Sequence, residues 1–311
     1  MTTIPSLDAT GLPGRKMLNK VPEVTLYFWV IKILCTTVGE TFADNLDQKL
    51  NLGLTKLGIL MSGVLIVSLV FQFRSRRYIP GIYWLAVVLI SVVGTLISDN
   101  LTDNYGVTLE TTTVAFGLTL ALVFAAWYGV ERTLSIHTIV TTRREAFYWF
   151  TILFTFALGT SAGDLIAEKS GLGYLNSIFL FAGAIALVTV AHLRFHVNAI
   201  LSFWVAYILT RPLGASIGDY LSQPQAESGL GLGTTLTSVI FLSTILALVI
   251  FLTFTKRDQT PSEIVEAEFV HEQEHDQEHH HVHLPGHIHL PGHGHGVAPP
   301  GGTVQEGAEA W

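Results

Sequence analysis

Long apolar runs alternate with short polar segments along the whole chain. With a window near 19 residues, runs of membrane-spanning length fall at about 24–43, 54–73, 81–98, 108–130, 146–163, 174–193, 199–218 and 231–255. The strict alternation of apolar and polar residues that is typical of a membrane barrel is absent, and a helix satisfies its own backbone polar groups in lipid. The pattern therefore predicts an all-α polytopic membrane protein with eight transmembrane helices.

The odd-numbered helices share one pattern, which begins with an aromatic residue and Trp and ends with a glycine motif and Asp. The Trp and the Asp are 15 residues apart in each case: Trp29 and Asp44, Trp84 and Asp99, Trp149 and Asp164, Trp204 and Asp219. This repetition predicts four tandem two-helix repeats, at about 24–77, 80–144, 145–196 and 199–257. Because each unit has two spans, all four enter the membrane in the same direction and the repeats are parallel.

The fourfold pattern, together with the opening "KVPEVTLYFW", resembles a known bacterial family. That family is the uncharacterised membrane-anchored proteins, which are built from four tandem two-helix repeats of unknown function. The resemblance covers about residues 20–257 and implies the eight-helix fold. It implies no particular activity.

Composition divides the chain into three parts and suggests an orientation. Half of the residues are hydrophobic and 13% are charged, against roughly 25% charged in soluble domains. We expect an N-terminal segment at 1–21, a transmembrane domain at 22–257 and an acidic, disordered tail at 258–311. Twelve of the 17 basic residues lie on one side of the predicted helices, so the positive-inside rule places both termini in the cytoplasm. The expected location is the bacterial inner membrane.

Small residues spaced four apart recur near the end of each odd helix. Such pairs allow helix backbones to approach closely in lipid. We interpret them as packing positions that bring the four odd helices around a common axis: Gly39, Gly94, Gly159, Gly163, Gly214 and Gly218.

The aspartate that ends each odd helix has two interpretations. It lies about 22 Å along the helix from the Trp, and a carboxylate at a helix C-terminus needs a cation or a hydrogen-bond donor. Each Asp could accept hydrogen bonds from the Gly-rich or Thr-rich turn that opens the next helix. Alternatively, the four could form a ring that binds a metal ion or a proton: Asp44, Asp99, Asp164 and Asp219.

Three charged residues break the symmetry of the repeats. Repeat 1 alone has Lys32 and Glu40, and repeat 4 alone has Arg211 followed by Pro212. Charges at this depth should face the bundle interior and pair. We predict a Glu40–Arg211 pair, with Lys32 deeper against a polar wall. The pair is either static or part of a gate.

The predicted tail holds ten of the 13 histidines, interleaved with acidic residues: His271, His275, His279, His280, His281, His283, His287, His289, His293 and His295. Imidazoles mixed with carboxylates form adaptable sites for transition metals. A solvated low-complexity tail, or a remnant of cloning, is the alternative.

These observations favour a transporter or channel-like protein for a divalent metal cation. The predicted ligands are the four Asp, Glu40 and the tail histidines, with Zn, Ni, Co or Mn as the bound ion and no required cofactor. A non-transporting membrane scaffold and a proton-coupled transporter of an organic solute remain alternatives. No sequence motif of a hydrolase, an NTPase or a dinucleotide enzyme occurs, so we do not expect an enzyme. The expected partners are the lipid bilayer and the metal, not nucleic acid, and homo-oligomerisation is open.

Overall fold

A computed structural model describes residues 19–259 of the chain. Within this range there are eight long α-helices and no strand, as predicted. All eight are long and apolar enough to cross a membrane. The helices are α1 Leu26–Leu50, α2 Leu54–Arg74, α3 Pro80–Asp99, α4 Leu109–Glu131, α5 Thr142–Asp164, α6 Tyr174–Phe195, α7 Ala199–Ser222 and α8 Thr234–Thr255. Short 3-10 turns lie at Ile136–Thr138 and Gln225–Glu227, and the predicted tail lies almost wholly outside the described residues.

The odd helices form a closed inner ring in the order α1, α3, α5, α7. The even helices lie outside this ring, and each packs mainly against the odd helix of the next repeat: α2 on α3, α4 on α5, α6 on α7 and α8 on α1. Between 56 and 72% of the apolar window of each odd helix is buried, compared with 6 to 28% for the even helices. The odd helices therefore form the protein core, and the even helices present apolar surface to lipid.

Four glycines set the distance between neighbouring helices of the ring. Each occupies the same repeat position and faces the next odd helix at a point where a Cβ atom would overlap a side chain: Gly39 at Ser91, Gly94 at Phe156, Gly159 at Arg211 and Gly214 at Thr36. Gly163 and Gly218 lie against Pro212 and Thr41 with more space. The glycine motif therefore works by close approach of helices, once per repeat.

The ends of the odd helices differ from the prediction. All four odd helices were expected to end at their Asp, but α1 continues to Leu50 and α7 to Ser222, and π-helical turns extend α3 through Asn100–Asn104 and α5 through Leu165–Lys169. Asp44 therefore lies within a helix, and its charge does not stand at the negative end of the helix dipole. The hydropathy window placed the ends of these helices too early, because the polar residues that follow each apolar run are still helical.

The aromatic residues at the start of the odd helices lie inside the bundle. Aromatic residues at the end of a span are typical of an interfacial belt, but the exposed fractions of Tyr83 and Trp84 are 0% and 1%. Tyr83 Oη and Tyr148 Oη are 2.5 Å apart. These residues do not form a belt, because a Trp at a helix start can pack inward once four such helices converge.

The end of the bundle that carries these aromatic residues, here called the Trp end, is closed by buried polar contacts. Lys20 Nζ lies 2.7 Å from Glu145 Oε2, and Gln72 Nε2 donates to the other oxygen of that carboxylate at 3.1 Å. Tyr78 Oη donates to Asp258 Oδ2 at 2.6 Å. These contacts tie the segments that flank the transmembrane helices to the ring.

Replacing Tyr78 with Phe is expected to lower the free energy of unfolding by about 1 to 3 kcal/mol, because it removes a donor from a buried carboxylate. Burial, and the neighbouring Asp258 carboxylate, raise the pKa of Tyr78 well above its usual value. A raised pKa in the folded state stabilises the protein below the unfolded pKa, about 10, and this contribution is lost as the pH rises further. The difference in the free energy of unfolding between Tyr78→Phe and wild type should therefore have its maximum value at pH 8 and decrease above about pH 10.

Unfolding in detergent, followed across this pH range, measures both effects. The exposed Tyr128 provides the matched control, and Tyr128→Phe should leave stability unchanged. Equal stability of the two variants at pH 8 would contradict the role given to Tyr78.

Candidate functional site

Five carboxylates gather at the opposite end of the ring, here called the carboxylate end. Glu40, Asp164 and Asp219 form one group in which one oxygen of each lies within 4.8 Å of the others. Glu40, Asp44 and Asp99 form a second group with the same spacing. Glu40 belongs to both groups, so the four repeated Asp face one shared region around the carboxylate of repeat 1.

The repeated Asp do not pin the turns that follow them. Among the hydrogen bonds of residues 19–259, none ends on the carboxylates of the four Asp, although Asp219 is only 6% exposed. The glycine-rich turns donate to main-chain carbonyls instead, as from Gly173 N to Ala167 O and from Gly233 N to Ser222 O. The turn-pinning interpretation therefore has no contact to support it in the described part of the chain.

Arg211 lies directly beside this cluster and is fully buried. Its Nη2 donates to Glu40 Oε2 at 2.8 Å, which is the pair expected from depth in the membrane. The same nitrogen contacts Thr160 Oγ1 at 2.6 Å and Thr95 Oγ1, and Nη1 donates to the main-chain oxygen of Thr36 at 3.3 Å. The guanidinium thus has an oxygen cage from the other three odd helices.

The repeats explain the shape of this cage. Glu40, Thr95 and Thr160 occupy equivalent positions in repeats 1, 2 and 3, where repeat 4 has Ala215. Repeat 4 supplies no oxygen at this level and contributes Arg211 from one turn earlier. The two threonines were not among the predicted partners of Arg211. Their equivalent positions were the signal that could have revealed them.

Lys32 does not belong to the ion pair, and the polar wall predicted for it is wrong. In the part of the chain that the structure describes, its Nζ has no hydrogen-bond partner. It lies over two aromatic rings, 4.0 Å from the centre of Phe156 and 4.1 Å from that of Tyr207. An ammonium is attracted to the face of an aromatic ring, and these rings replace the expected polar contacts.

The charge balance of the site limits what it can do. Five carboxylates cluster beside one guanidinium, which pairs with only one of them, and buried like charges are costly unless protons or cations neutralise them. The side-chain atoms of these groups that could bind a metal are carboxylate oxygens, and the groups contain no histidine or cysteine. The two three-carboxylate groups are close enough to hold a metal ion, and all-oxygen sites suit Mg²⁺, Ca²⁺ and Mn²⁺. The predicted histidine ligands at 271–295 lie outside the described residues.

Comparison with known proteins supports the repeat assignment. The family described as Repeat of Unknown Function (DUF347) matches the chain four times, at residues 27–78, 82–133, 147–198 and 202–258. Each match covers most of one odd helix and all of the following even helix. No curated protein and no solved structure matches the chain. The chain is a polytopic membrane protein that belongs to the DUF347 repeat family, with four tandem copies of its two-helix unit.

Proposed function

We propose that this protein is a membrane transporter for a divalent cation and that the carboxylate end is where the cation binds. The observation that carries the proposal is the convergence of the four repeated Asp on Glu40, with ligand oxygens within 4.8 Å in two groups. Of the metals considered from the sequence, Mn²⁺ suits an all-oxygen site best. Mg²⁺ and Ca²⁺ are its natural competitors.

The residues inside the ring of odd helices are more consistent with a transporter than with an open channel. Next to the cluster, the side chains of Arg211 and Lys32 are both buried, and a cation would meet two positive groups and the rings of Phe156 and Tyr207. Passage would require these side chains to move. A cation that binds Glu40 competes with Arg211 for the same carboxylate, which gives the ion pair the role of a gate.

The proposed orientation follows the positive-inside rule. Both termini lie in the cytoplasm of a bacterial cell, and the carboxylate end faces outward from the inner membrane. The histidine-rich segment would then chelate or sense metal on the cytoplasmic side.

The double substitution Asp164→Asn with Asp219→Asn is expected to weaken Mn²⁺ binding by about tenfold or more, because carboxylate charge tunes the affinity of oxygen sites. Titration calorimetry with purified protein measures binding, and a Mn²⁺-quenched dye inside proteoliposomes measures transport. Asp103→Asn is the matched control, since Asp103 is an exposed acid near the same end. Unchanged Mn²⁺ affinity in a folded double variant would remove the cation site and leave a non-transporting scaffold as the better account.

A further inference from the structure

We propose that Lys32 is a proton-binding site that couples the movement of the cation to a counterflow of protons. The inference rests on the proposed function and adds its energy coupling. It starts from the one buried ammonium of the ring that is not paired with a carboxylate within the described residues.

The surroundings of Lys32 contain few groups that can carry charge. On its own helix Cys35 is one turn away, and α7 contributes Tyr207 and Arg211. The other neighbouring helices have no titratable side chain at this depth: α3 has none between Trp84 and Asp99, α5 none between Trp149 and Asp164, and α8 none along its length. Only Arg211 near Lys32 carries a permanent charge.

This environment makes the charge of Lys32 sensitive to its neighbours. Two aromatic faces offset part of the cost of a buried ammonium, but no carboxylate offsets the rest. A lysine can exchange its proton under these conditions, whereas an arginine stays charged. The protonation of Lys32 therefore depends on how much positive charge lies nearby.

Phe156 links Lys32 to the candidate cation site. Its ring centre is 4.0 Å from Lys32 Nζ and 5.7 Å from Arg211 Cζ. A divalent cation on Glu40 frees the Arg211 guanidinium from that carboxylate, and the added positive charge acts on Lys32. The N–H bond of the ammonium then breaks, and its proton is released to water on the side of the membrane from which the cation entered. The amine takes a proton again from the side on which the cation leaves, so that protons and the cation move in opposite directions.

The repeats show that packing alone does not require this lysine. The equivalent positions in the other three repeats are Val87, Ile152 and Tyr207. Three uncharged side chains fill the same place in the ring, so the ammonium of repeat 1 is an addition to the scaffold.

Proteoliposomes that contain a pH dye and receive a Mn²⁺ gradient test the proposal. Wild-type Mn²⁺ uptake should be accompanied by proton efflux. Lys32→Met and Lys32→Arg should lose about tenfold or more of the proton flux per Mn²⁺, because neither side chain releases a proton. Lys49→Met, at an exposed lysine of the same helix, should behave as wild type. Lys32→Arg distinguishes the loss of proton exchange from the loss of positive charge, because arginine stays charged.

Three results would contradict the proposal, each at a different step. Proton exchange at the wild-type ratio in either folded Lys32 variant would overturn the role of Lys32. Wild-type Mn²⁺ uptake with no change of internal pH would overturn the coupling while the cation site stands, and this measurement also decides the case if the variants do not fold. Failure of wild type to bind Mn²⁺ would remove the proposed function and the coupling with it.

Discussion

Replacing Arg211 with Met is expected to lower the free energy of unfolding by about 3 to 5 kcal/mol, which is the usual cost of removing one partner from a buried ion pair. Glu40 would remain buried among four other carboxylates without its guanidinium. The hydroxyls of Thr95 and Thr160 would lose their shared partner as well. Unfolding in mixed detergent micelles measures the loss.

Two further variants separate the ion pair from the rest of the cage. Arg194→Met, at an exposed arginine of α6, should change stability little. Adding Glu40→Gln to Arg211→Met should recover part of the loss, because the unpaired carboxylate is then gone. Arg211→Lys should not restore wild-type stability, since one ammonium cannot reproduce the planar array of donors. Wild-type stability of Arg211→Met would show that the cage is not held by this charge.

Replacing Gly214 with Val is expected to cost about 3 kcal/mol, at the upper end of typical overpacking effects. The new Cβ would overlap the side chain of Thr36 on α1, so α1 and α7 would have to separate. Because Glu40 is on α1 and Asp219 is on α7, the same displacement should weaken Mn²⁺ binding. Unfolding and binding measurements on one preparation test both effects.

The matched control for this substitution is Gly183→Val in α6, where no atom lies within 4 Å of the added Cβ. A rescue makes the mechanism specific. Gly214→Ala alone should be destabilising. Together with Thr36→Gly it should be tolerated, because the methyl group added on α7 then fills the space that the Thr36 side chain leaves on α1. If Gly214→Val and Gly183→Val are equally stable, the close approach of the helices does not depend on this glycine.

Much of the fold could be predicted from the sequence because the Trp-to-Asp spacing is constant. That spacing places equivalent residues at one depth, which is why Glu40 and Arg211 could be matched. Lateral neighbours could not be predicted, since the even helices are apolar on all sides and hydropathy does not say which odd helix each contacts. The aromatic surroundings of Lys32 depend on Phe156 from a different repeat, and only the closed ring brings the two together.

The packing of each even helix on the following repeat makes the domain a cyclic arrangement interrupted at one place. That interruption lies where Glu23 N donates to Asp258 O at 2.9 Å, so the two ends of the membrane domain are adjacent. A circular permutant that starts at α3 should assemble the same ring. A half-length gene encoding α1 to α4 would leave complementary surfaces at its two ends, and two such copies could close around a twofold axis. Gene duplication and fusion of a smaller, self-associating ancestor is thus a route that this geometry allows.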